Sequence, residues 1–152
     1  HLLSHNCTAK FNNNLLTMKN YLLTKDLLLE LLQGSKSQKE KIFLKLEDLL
    51  QKNKSLFISM NTLNNILNNE PDIEKRKLIY QNTKSLCEKI LLLDNNDLPL
   101  VFGFQSQFKI NHETAMELLI AQKHELDCIL DISEKFQFQK IISVVSLILE
   151  GE

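Results

Sequence analysis

Between Lys36 and Asn69 the apolar positions of the chain recur at alternating steps of four and three. Ile42, Leu46, Leu49, Asn53, Leu56, Met60, Leu63 and Leu67 mark the stripe, and a stripe of this period is the seam of an amphipathic helix. Phe43, Leu50 and Phe57 run beside the seam and widen it. The spacing therefore predicts one long helix over about 36–69 that faces two neighbours. Asn53 interrupts the seam at its middle, where a single polar residue sets register at some cost in stability.

Upstream, Phe11, Leu15, Met18, Leu22, Leu29 and Leu32 predict a helix over about 10–33. Gly34 reads as a left-handed cap and Ser35 as the start of the next helix. So short a link predicts a coiled-coil-like antiparallel hairpin. Pro71, Asp72 and Glu74 open a third helix, about 71–94, with Ile79, Thr83, Leu86, Ile90 and Leu93 on one face and "DNND" at its end. Asn111 caps a fourth, about 111–134, striped by Met116, Leu119, Leu126 and Leu130.

The tail is ambiguous. Phe138, Ile141, Val145 and Ile148 fit a fifth helix over about 135–149, while the Phe-Gln-Phe-Gln alternation fits a strand. Phe102, Phe104, Phe108 and Ile110 also share one side of a possible strand, so a small β pairing of 101–110 with 136–142 is the alternative there. The expected fold is all-α: one domain over 1–152, an antiparallel bundle of four to five helices built on the N-terminal hairpin.

Composition narrows the partners. Hydrophobic residues make up 43% and charged residues 24% of the chain, as in ordinary globular domains. A net charge of -1 and a pI near 6.5 give no global attraction to nucleic acid or an anionic membrane. Arg76 is the sole arginine, and bidentate phosphate recognition usually recruits arginine. The expectation is a protein partner or homo-oligomer, no nucleic acid and no transmembrane segment, since no apolar run of about 18 residues occurs. The abundance of asparagine and lysine matches the codon usage of an AT-rich genome. Cytoplasmic location is expected, with secretion the alternative if the sequons at Asn6 and Asn53 are used. The start at His1 fits processing, an excerpt or a tag.

Candidate chemistry is sparse. Cys7, Cys87 and Cys128 are too few and too scattered for a zinc site or a disulfide framework, and read as buried reduced thiols. Glu113, Glu117 and His124 lie at helical spacings of four and seven and are weak candidates for a metal, but no Glu-x-x-His occurs. A solvated helix face explains them more simply. Three glycines without fingerprint spacing exclude a phosphate-cradling loop. Neither cofactor nor catalysis is expected.

The segments "LLTKDLLLELLQ", "KEKIFLKLEDLL" and "LCEKILLLDNNDLPLV", within about residues 10–101, resemble the FlgN-type flagellar export chaperones. That resemblance implies a helical hairpin whose C-terminal helix binds the amphipathic ends of filament-associated proteins. The functional expectation is a non-enzymatic interaction bundle, a chaperone or adaptor. It would receive a partner helix in an apolar groove formed by Phe43, Leu50, Phe57, Phe102, Phe104 and Phe108. A structural subunit of a larger assembly, with the same surface permanently covered, is the first alternative. A metal-binding or enzymatic bundle is the second.

Overall fold

The computed structural model describes residues 18–147. Its centre is a parallel β-sheet. β1 (Asn20–Leu23), β2 (Ser55–Ser59), β3 (Lys89–Leu91), β4 (Cys128–Asp131) and β5 (Ser143–Ser146) lie in the order β3-β2-β1-β4-β5. Every neighbouring pair is parallel. α1 (Lys25–Gln33) and α2 (Lys36–Gln51) connect β1 to β2, and α3 (Met60–Asn68) and α4 (Ile73–Leu86) connect β2 to β3. A short 3-10 turn (Asn95–Asp97), α5 (Leu98–Phe108) and α6 (His112–Lys123) then carry the chain from β3 to β4 on the far side of β1.

Side chains on adjacent strand positions point to opposite faces, and both faces are covered. Tyr21, Leu23, Leu56, Ile58, Cys128 and Leu130 pack against Leu27 of α1, Ile42, Leu46 and Leu49 of α2, and Leu63 and Ile66 of α3. On the other face, Leu22, Leu91, Ile129 and Val144 meet Leu118, Ile120 and Ala121 of α6, with Phe57 packed against them. The result is helix, sheet and helix in three layers. Tyr21 is wholly buried, and its hydroxyl has no hydrogen-bond partner among the described residues.

The all-α expectation is thus overturned by the strands. The helix expected over 36–69 is three elements. α2 ends at Gln51, Asn53 takes a left-handed conformation (φ 60), and β2 follows before α3 begins at Met60. The four-and-three stripe does not betray this, because Leu56 and Met60 fall on its continuation by coincidence. A strand buried on both faces reads as an unbroken apolar run with no alternation to announce it. The first expected helix loses Asn20–Leu23 to β1 and starts at Lys25; its portion over 10–17, like His1, Asn6 and Cys7, lies outside the described residues. The helix expected over 71–94 stops at Leu86, and Lys89–Leu91 is β3.

The small β pairing is corrected too. Residues 98–108 are α5, and 136–142 form no strand. The tail expected as helix supplies β5, with 148 and 149 outside the described residues. Gly34 caps α1 in extended rather than left-handed conformation (φ -68, ψ 176). Glycine suits it because a Cβ there would lie 2.5 Å from the Glu30 carbonyl oxygen. Cys87 and Cys128 are buried thiols, and burial pushes the Cys87 thiol up to about 12, so it stays protonated at neutral pH. Among the described residues no helix is long and apolar enough to cross a membrane.

Candidate functional site at the carboxyl edge of the sheet

The chain leaves β1 on one side towards β2 and β3 and returns on the other side as β4. That reversal puts a topological switch point at the carboxyl ends of β1 and β4, the place where open α/β sheets form ligand crevices. Thr24, Ser59 and Asp131 stand at the carboxyl ends of β1, β2 and β4.

Thr24 and Ser59 are there for a local reason: each is the N-cap of the helix that follows. Thr24 accepts from the Leu27 amide (3.3 Å) and Ser59 from the Thr62 amide (3.0 Å), satisfying donors that a helix start leaves unpaired. Each hydroxyl then donates across the sheet. Thr24 Oγ1 donates to Asp131 Oδ1 (2.6 Å). Ser59 Oγ donates to Glu117 Oε2 (2.7 Å), and Thr62 Oγ1 to Glu117 Oε1 (3.0 Å).

Both carboxylates are deeply buried. Asp131 is fully enclosed and also accepts from the Ile132 amide (2.8 Å) and from Ser133 Oγ (2.9 Å). Glu117, 4% exposed, has its carboxyl pushed above the usual range by burial, against the hydrogen bonds from Ser59 and Thr62. A shallow cleft lined by Thr24 and Glu117 opens between the start of α1, the start of α6 and the Lys135–Phe136 segment. Lys25 is ion-paired with Glu113 in it, and Lys135 Nζ lies 3.8 Å from Asp26. The cleft encloses about 10 Å³, room for about one water. Any larger ligand must therefore lie across it.

The acidic helix positions singled out in the sequence do not converge on an ion. Glu113 faces Lys25 and Glu117 faces two hydroxyls, whereas His124 caps the end of α6 with Nε2 3.2 Å from the Leu92 carbonyl oxygen. Among the described residues no three His, Cys, Asp or Glu side chains are grouped to hold a metal ion.

The six apolar candidates are scattered as well. Phe43 (55% exposed) and Leu50 lie on the outer side of α2, while Phe57 packs on the opposite face of the sheet. Phe102 is 54% exposed on α5. Phe104 and Phe108 are half-buried and lead into an aromatic group, with Phe108 and Phe138 ring centroids 5.0 Å apart. No common groove joins the six. What the sequence reading missed was Thr24, Ser59 and Thr62, and it set Asp131 on a helix face rather than at a strand end. The available signal was "YLLTKD" and "LFISMN", each a short apolar run followed by a capping residue.

No protein-family model and no curated protein matches the sequence. Solved structures do match the fold. A chain of the VapBC2 complex from Rickettsia felis bound to a DNA fragment from their promoter matches with a TM-score of 0.62 at 12% identity, over 84% of this chain and 98% of that one. A chain of a toxin-antitoxin complex from Klebsiella pneumoniae matches with a TM-score of 0.57 at 20% identity, over 83% and 96%. The FlgN-type resemblance is overturned with the bundle it implied, and so are the chaperone, adaptor and bundle-subunit readings. The chain has a parallel α/β fold, shared with chains of these two toxin-antitoxin complexes.

Proposed function

We propose that this chain is a toxin-type ribonuclease that draws a single RNA strand across the cleft at the switch point. The likeness to chains of toxin-antitoxin complexes supports a nuclease reading. The observation that carries it to this site is the Lys25–Glu113 ion pair at the mouth of the cleft, with Lys135 beside it. Lysines there offset phosphate charge, and Glu113 is a carboxylate within reach of a strand lying over them.

Two-metal nuclease sites hold both ions with convergent carboxylates, and the donor set here does not fit such ions: Asp131 and Glu117 spend their oxygens on internal donors. With no metal-activated water, the nucleophile must come from the substrate. Only RNA supplies one, its 2′-hydroxyl. Glu113 takes that proton as the oxygen attacks the adjacent phosphorus, and Lys25 and Lys135 stabilise the charge that develops on the phosphoryl oxygens. The bond from phosphorus to the 5′-oxygen breaks, that oxygen takes a proton from solvent water, and the products are a cyclic 2′,3′-phosphate and a free 5′-hydroxyl.

Labelled single-stranded RNA, and DNA of the same sequence, incubated with the purified chain with and without EDTA test this. RNA alone is cut, EDTA does not protect it, and Glu113→Gln slows cleavage about a hundredfold. A second reading, binding without cleavage, is favoured by the hydroxyls that occupy both buried carboxylates. It is the outcome if RNA is retained intact. If RNA is neither bound nor cut, both readings are lost.

A further inference from the structure

Glu117 also lines a second hollow, of about 190 Å³, at the carboxyl ends of β2 and β3. Met60, Leu93, Met116 and Ile120 give it apolar walls, and Asn61 and Glu117 are its polar groups. The Asn61 amide is the anomaly. Its Nδ2 is buried and has no hydrogen-bond partner among the described residues, although Asn61 sits in the first turn of α3 with solvent near at hand. A buried donor without an acceptor is costly, and one that lines a cavity marks where an acceptor from a ligand would sit.

We propose that this hollow holds an unpaired nucleobase, its faces between the methionine and aliphatic side chains and one of its ring or carbonyl acceptors receiving Asn61 Nδ2. Three features select that class. The walls are apolar and two of them are methionines, which adapt to flat ligands. The polar side chains are few, one amide and one carboxyl, and an extruded base is read by such hydrogen-bonding groups in an otherwise apolar pocket. The hollow also shares Glu117 with the cleft, so a base seated here belongs to a nucleotide next to the phosphate over Lys25. Base choice is then made by Asn61, and backbone affinity by Lys25 and Lys135. The RNA context rests on the ribonuclease reading, but the pocket itself can be tested without it.

The full chain, labelled with 13C at its methionine methyls, carries three probes, of which Met60 and Met116 line the hollow and Met18 lies buried just before the amino end of β1, outside its lining. Titration with adenosine, cytidine, guanosine and uridine should shift Met60 and Met116, for at least one nucleoside, and leave Met18 in place. Asn61→Leu fills the same space without the orphaned donor, so the fold should survive, as circular dichroism would verify. Binding of the preferred nucleoside should weaken about tenfold or more in that variant. If no nucleoside shifts the two methionines, or if Asn61→Leu binds as well as the native chain, the inference is wrong. Cleavage of RNA without nucleoside binding would sink the pocket and leave the ribonuclease; nucleoside binding without any interaction with RNA strands would do the reverse.

Discussion

Glu117 hangs from α6 into a buried site, held by Ser59 and Thr62 from the neighbouring β2 and α3. Burial raises its pKa from the ordinary 4.5, so the folded chain binds a proton more tightly there than the unfolded chain does. The stabilising effect of that proton is complete below pH of about 4.5 and disappears as pH rises through the raised value. Chemical denaturation at a series of pH values above 4.5 should show stability falling as pH increases. In Glu117→Gln, which is neutral throughout, that fall should be flattened. An unchanged slope in the variant would move the effect to another group. Asp97 acts with the opposite sign: the Lys123 ammonium 2.6 Å away holds its carboxyl below the usual range, so its contribution is lost only as pH falls through that lowered value.

At the level of elements, the ends were more legible than the types. Ser35, Asp72 and Asn111 do cap α2, α4 and α6, each accepting a backbone amide in the turn it opens, because capping depends on neighbours within three residues. Asn53 shows the opposite. Its position on the apolar stripe suggested a register-setting residue inside a helix, whereas its φ of 60 makes it the left-handed turn that releases α2 into β2. Asparagine is among the few side chains that adopt this conformation readily. Asn53→Gly should therefore be nearly neutral, and Asn53→Ala should lower unfolding stability by about 1 kcal/mol in urea titration. Equal costs for the two would show that the Asn53 side chain, and not its backbone, holds the turn.

For the whole molecule, β1 is the axis. Leu22 is wholly buried, in register with Phe57 of β2 on one side and Ile129 of β4 on the other. Leu22→Ala should cost about 2–5 kcal/mol. Leu100→Ala, at a position 59% exposed on α5, should stay within about 0.5 kcal/mol. Comparable losses at the two positions would mean that α5 is covered in solution and that its exposed apolar side is part of the stable unit.

Local order along the chain determined where α2, α4 and α6 begin and which stretches are apolar enough to be buried. These follow from contacts within a few residues. Strand pairing was beyond it, since a parallel ladder joins segments far apart in sequence and its buried strands of three to five residues are too short to show a period against the surrounding leucines. The candidate site was hidden for the same reason. Thr24 and Asp131 share a hydrogen bond across 107 residues, and Ser59 and Glu117 across 58. Net charge gave no guidance either: a total of -1 says nothing about Lys25 and Lys135 flanking one cleft. Only the folded sheet, by bringing its carboxyl ends to one edge, turned capping residues and helix-face acids into a site.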